Sequence, residues 1–212
     1  MKIQFTRIQF LCTVLCLLPL IFLVYDLYSN QLTANPIREI AIRTGRTAIT
    51  ILLISLLGTP LNNILGLRSF LSIRRTLGLY AAFYASLHFA NFIGLDYSFD
   101  WGEISGVIRQ QPFLIIGSIA FFSIISLAVT SFQIFQKMLG KWWEILHRII
   151  YLTVFLVILH FFLAVKANLL LPEIYLIFFI ILLLLRIPPF LNRKFRIPEI
   201  SRVNIFFNKK LI

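Results

Sequence analysis

Six apolar runs, each near bilayer length, follow one another along this chain with only short polar connections, at about 8–28, 47–65, 77–95, 113–131, 145–166 and 172–190. A hydrocarbon core of about 30 Å is crossed by roughly 20 helical residues. Inside lipid every backbone N–H and C=O must be paired within its own segment, so runs of this kind fold as helices. The expected fold class is therefore all-α. The chain reads as a polytopic membrane protein whose six-transmembrane-helix bundle makes residues 1–212 one domain, ending in a basic tail at 191–212. Composition agrees: 59% of residues are hydrophobic and only 13% charged, which excludes a soluble globular core.

Lys2 and Arg7 ahead of the first run imitate the start of a secretory signal. The run from Ile8 to Val24 is longer than a usual signal core, and no small-x-small cleavage site follows, so an uncleaved first helix is expected. The formal net charge of +12 would suggest nucleic acid in a soluble protein. Here topology explains it. With the N-terminus in the cytoplasm, most of the 20 Lys and Arg residues fall on cytoplasmic segments, among them Arg68, Arg74, Arg75, Arg148, Arg186 and the tail from Arg193 to Lys210. The acidic loop DYSFDWGEISG then falls outside. The positive-inside rule thus favours both termini in the cytoplasm, with the basic tail against anionic lipid. Cys12 and Cys16, the only cysteines, stand four apart in the first run and read as small packing residues, not as a disulfide or zinc site.

Two polar breaks shape the second run. PIREIAIR reads as a short interfacial helix starting at Pro36, with Thr44-Gly45 ending it and opening the second span. Gly58-Thr59-Pro60 predicts a kink or helix end, because proline leaves the carbonyl four residues earlier unpaired.

The three histidines, His88, His147 and His160, all lie in or at the edge of apolar runs. An imidazole in hydrocarbon is costly unless it ligates, pairs or lines a cavity, and carboxylates are scarce near them. The third and fifth runs cross in the same direction, and His88 and His160 fall at one mid-to-outer depth. They form the natural bis-histidine pair, and apolar surroundings with axial imidazoles point to haem iron. His147 lies near the cytoplasmic edge beside Trp142 and Trp143. On one continuous helix it stands roughly 20 Å from His160, too far to share a metal. It belongs either to a second site or to a supporting role, and an interfacial hydrogen-bonding role is the bland alternative. Arg68, Arg74 and Arg75 read as topology charge or, more sharply, as forks for haem propionates or a flavin phosphate.

The stretches NPIREIAIRTGRTA, LLGTPL, RRTLGLYAAFYASLHF, LGKWWEILHRIIYL and LHFFLAVK resemble the MsrQ (formerly YedZ) family, the haem-binding membrane subunits of bacterial periplasmic methionine-sulfoxide reductase systems, within the ferric-reductase-like transmembrane superfamily. The likeness covers about residues 35–186. It implies a b-type haem carrier of the bacterial inner membrane, with ligand positions at His88, His147 and His160. It also implies FMN, electrons from respiratory quinone, and delivery to a periplasmic molybdopterin methionine-sulfoxide reductase catalytic subunit of the MsrP kind. Two departures from the wider superfamily stand out: Arg74 occupies a position that is often histidine, and Ile42-Arg43 replaces a histidine that some relatives carry before the TG pair. No motif here marks a flavin site by itself.

Two other readings compete with an electron-transfer subunit. A transmembrane ferric or metal reductase would need a flavin and nicotinamide domain, here supplied by a separate cytoplasmic chain. A transporter with histidines in a proton path would call for deep carboxylates, whereas Asp96 and Glu144 lie near the edges of their runs.

Overall fold

The computed structural model describes residues 7–67, 69–165 and 168–186. Arg68, Lys166 and the basic tail lie outside the described residues. The described residues form helices and their connections: α1 (Arg7–Tyr28), α2 (Pro36–Leu65), α3 (Ser69–Ala90) continuing into a π-helical turn (Asn91–Asp96), α4 (Trp101–Gln110), α5 (Pro112–Thr130), α6 (Gln133–Leu139), α7 (Lys141–Arg148), α8 (Ile150–Ala164) and α9 (Leu170–Leu184).

Length and apolar composition mark four membrane-crossing helices among the described residues: α1, α2, α5 and the α7–α8 unit from Lys141 to Ala164. Two of the six expected spans do not meet that standard. α3 is 22 residues long but carries Arg74 and Arg75, and α9 is apolar but only 15 residues. The expected run at 172–190 lies partly outside the described residues.

α2 departs most from expectation. Its start is built as the sequence suggests: the Asn35 side chain accepts from the Arg38 N–H, and Pro36 opens the first turn. Thr44-Gly45 does not end it. The Thr44 hydroxyl donates to the Ile40 carbonyl within the helix, and the helix runs on to Leu65, 30 residues in all, where Gly66 closes it with a left-handed φ of 68°. Glycine is tolerated in mid-helix here because another helix approaches it closely. Pro60 does not end α2 either. It cannot donate to the Leu56 carbonyl, and that carbonyl is taken instead by Arg186 Nη2 at 2.6 Å.

α1 also carries an internal proline, Pro19. One turn of its ladder is opened, and the Tyr84 hydroxyl from α3 enters it, donating to the Cys16 carbonyl at 2.8 Å and accepting from the Leu20 N–H at 3.1 Å. A side chain inserted beside a proline is an established cause of a helix bend. The expected single fifth helix is broken at Ile149 into α7 and α8, and Gly140, at a φ of +50°, separates α6 from α7.

Two helix pairs make the bundle. α2 against α3 is the most extensive interface and α5 against α8 the next. Their shared core holds Leu52, Leu53, Ala81, Tyr84, Val154, Ile158 and Leu182, all nearly or fully buried. Cys12 and Cys16 are buried free thiols in the same core, as packing residues should be. The outward faces are apolar too: Phe10, Phe22, Phe122, Leu152 and Ile177 are more than half exposed. In water such a surface would aggregate, so it marks a lipid-facing exterior.

Candidate cofactor site between two helix pairs

α3 carries His88 and α8 carries His160, and the bundle brings the two rings face to edge. Their centroids are 6.2 Å apart and their planes cross at 81°. Two imidazoles bound through nitrogen to one first-row metal have ring centres about 6 Å apart, since each metal–nitrogen bond is about 2 Å. Among the described residues no group of three or more His, Cys, Asp or Glu side chains gathers anywhere. The donor set is therefore two imidazoles in apolar surroundings. That suits a metal whose remaining positions are filled by a macrocycle better than a protein-only tetrahedral site.

Each ring is held from behind. His88 Nδ1 lies 2.9 Å from the Ala41 carbonyl on α2, and His160 Nδ1 lies 2.8 Å from the Phe113 carbonyl on α5. A carbonyl only accepts, so each Nδ1 carries the hydrogen and each Nε2 keeps its lone pair for a metal. The π-helical turn follows His88 at once. In it Asn91, nearly buried, donates to the Ile37 carbonyl, and its Oδ1 has no protein partner.

The third histidine stands apart. His147 Nε2 is 3.2 Å from the Thr130 hydroxyl, its ring lies against Trp143 at 4.2 Å between centroids, and Trp143 Nε1 donates to the Thr130 carbonyl. This corner where α5, α6 and α7 meet is also the basic end of the bundle. Arg74 packs its stem against Gly58, where a Cβ would meet it at 2.6 Å. Arg75 is exposed, its guanidinium 5.5 Å from the Phe132 ring centre. Sequence reasoning missed Arg186, counted there only as topology charge. Its guanidinium binds the Leu56 carbonyl and the Tyr151 hydroxyl, and its Nε is buried with no partner. The signal was present in Pro60, whose freed carbonyl calls for a donor. Among the described residues the ion pairs are those of Arg43 with Asp26 and Glu39, at the opposite ends of α1 and α2. Among the described residues neither Arg74 nor Arg186 has such a partner.

An apolar cleft of about 410 Å³ opens beside Phe89, between the π-helical turn, α4 and α5. Its lining includes Trp101, Ile104 and Ile119, with Ser118 the sole hydroxyl-bearing residue. It holds no ionisable group.

Fold and site together define a helical membrane protein with paired imidazoles in its interior. The family model described as "Ferric reductase like transmembrane component" matches residues 44–159, and the chain belongs to that family. Within it, the chain is similar to proteins named "Protein-methionine-sulfoxide reductase heme-binding subunit MsrQ". The Caulobacter vibrioides protein is 36% identical over 88% of this chain and 89% of its own length. That of Rhodospirillum rubrum is 37% identical over 85% and 88%. That of Xanthomonas euvesicatoria is 40% identical over 69% and 67%.

Proposed function

We propose that this chain is a haem b-binding membrane electron-transfer subunit, with His88 and His160 as the two axial ligands of one haem iron. The observation that carries the reading is the pair itself: two imidazoles with ring centres 6.2 Å apart, each with Nδ1 turned to a carbonyl. The relatives' names, which specify heme binding, support it. A bound haem supplies reversible one-electron chemistry at its iron. The protein's part is to present two Nε2 lone pairs, to hold both rings against rotation, and to keep water from the pair with the apolar side chains around it.

Arg74 and Arg75, with Arg186 beside them, form the cationic end suited to carboxylate or phosphate groups, whether haem propionates or the phosphate of FMN. Arg68 belongs with them by sequence. His147 is a ligand or a support at this end. The six apolar runs form six spans, with both termini and the basic end in the cytoplasm of a bacterial inner membrane. Electrons come from membrane quinone and leave toward a periplasmic molybdopterin methionine-sulfoxide reductase.

Purified from haem-replete cells, the protein should show the reduced-minus-oxidised spectrum of low-spin b-type haem. His88→Ala and His160→Ala should each lose most of it. A colourless, folded preparation would sink the reading, and two variants with unchanged spectra would sink the pairing.

A further inference from the structure

The two halves of the site are built alike. On each side a histidine faces a carbonyl 47 positions earlier in the chain, Ala41 for His88 and Phe113 for His160. On each side a glycine stands four residues after that carbonyl, one turn along the same helix face. These are Gly45 on α2 and Gly117 on α5, and each lies directly against the histidine ring. A Cβ at Gly45 would be 3.1 Å from His88 Nδ1 and 3.2 Å from its Cε1. A Cβ at Gly117 would be 2.6 Å from His160 Nδ1 and 2.7 Å from its Cε1. The second pair of distances is shorter than real Cβ contacts allow, and the first is tighter than most.

We infer that Gly45 and Gly117 are positioning residues for the two axial imidazoles, with Gly117 the stricter of the two. The inference rests on the haem reading above and assigns what holds the ligands in place. The missing side chain lets each ring lie flat on its neighbouring helix, so the carbonyl one turn back reaches Nδ1. That contact selects the Nδ1–H tautomer and leaves the Nε2 lone pair free to hold a haem iron. A methyl group at either position would push the ring away from the carbonyl, free its rotation and alter the 81° angle between ring planes. Neither glycine is a turn or cap: Gly45 lies within α2 and Gly117 within α5. Close approach of the histidine ring is the reason for glycine that the described residues show at these points, and glycine in mid-helix otherwise lowers stability.

The test uses the full-length protein in detergent, with four single variants: Gly45→Ala, Gly117→Ala, and the controls Gly78→Ala and Gly106→Ala, where an added Cβ meets nothing within 4 Å. Haem affinity is measured by reconstitution of the haem-depleted protein. Ligand-plane geometry is read from the low-temperature EPR spectrum of the ferric form. Gly117→Ala should weaken haem binding about 10- to 100-fold, the range for partners that orient metal ligands, and should shift the EPR signal. Gly45→Ala should fold, shift the EPR signal and weaken binding less. Both controls should match the parent.

Thermal unfolding of haem-depleted protein then separates positioning from simple damage. Gly117→Ala should destabilise the parent but not a His160→Ala background, where the ring it would strike is gone. Equal destabilisation in both backgrounds, or parent-like affinity and EPR in both glycine variants, would overturn the inference. A parent protein that takes up no haem would instead overturn the functional reading on which it rests.

Discussion

His147 is the residue whose surroundings say most about its role. His88 and His160 each turn Nδ1 to a backbone carbonyl, which leaves the Nε2 lone pair available. His147 instead points Nε2 at the Thr130 hydroxyl and lies on Trp143. The nitrogen that the paired histidines keep free is the one engaged here. His147→Ala should therefore keep the low-spin spectrum of the proposed His88–His160 pair while changing the basic end, seen as partial loss of haem content or slower electron input at that end. Complete loss of haem would make His147 a ligand of the only site. The sequence made the His88–His160 pairing legible because both residues fall at one depth on runs that cross in the same direction. It did not show Arg186 as more than a flanking charge, since the Leu56 carbonyl it serves is 130 positions away in the chain.

At the scale of elements, two helices continue past an internal proline, and in each a donor from another segment enters the backbone ladder. In α2 the donor is Arg186. In α1 it is Tyr84, whose hydroxyl joins the Cys16 carbonyl to the Leu20 N–H. Tyr84 is 1% exposed, so no water replaces it. Tyr84→Phe should leave both backbone groups unpaired in an apolar core. That should lower stability by about 1–3 kcal/mol, measured by denaturant or thermal unfolding in detergent, while the haem spectrum stays as it was. An unchanged midpoint would mean that α1 straightens and restores its own bond. Pro60 announced an open carbonyl in the sequence, whereas nothing there marked the opening beside Pro19. Which side chain closes it depends on packing, and so does whether the helix stops or continues.

Among the described residues, one end of the bundle carries an acidic stretch and the other a cluster of arginines. Asp96, Asp100 and Glu103 lie along the π-helical turn and the start of α4, where Asp100 caps the helix by accepting from the Glu103 N–H. Arg74, Arg75 and Arg186 lie at the far end. The proposed orientation makes the acidic end the exit face, docking a redox partner through a small, transient contact. Reversing Asp96, Asp100 and Glu103 together should slow partner reduction several-fold at low salt, with less effect as salt rises, and should leave the haem spectrum intact. Rates insensitive to both charge and salt would rule this face out. Labelling that found the 96–103 loop in the cytoplasm would overturn the orientation.

What the sequence determined alone was everything that depends on solvent preference and periodicity. Apolar runs dictated a helical membrane fold, because lipid leaves backbone groups no other partner, and the cost of imidazole in hydrocarbon singled out three histidines. The tertiary structure decided what depends on contact between segments far apart in the chain. It ran α2 on through Thr44-Gly45 and set the His88 ring against Gly45. It broke the fifth run at Ile149, and it set a carbonyl behind each paired imidazole. A local sequence window records which residues are small, basic or apolar. Which ring a glycine faces is settled only when α2 packs on α3 and α5 on α8.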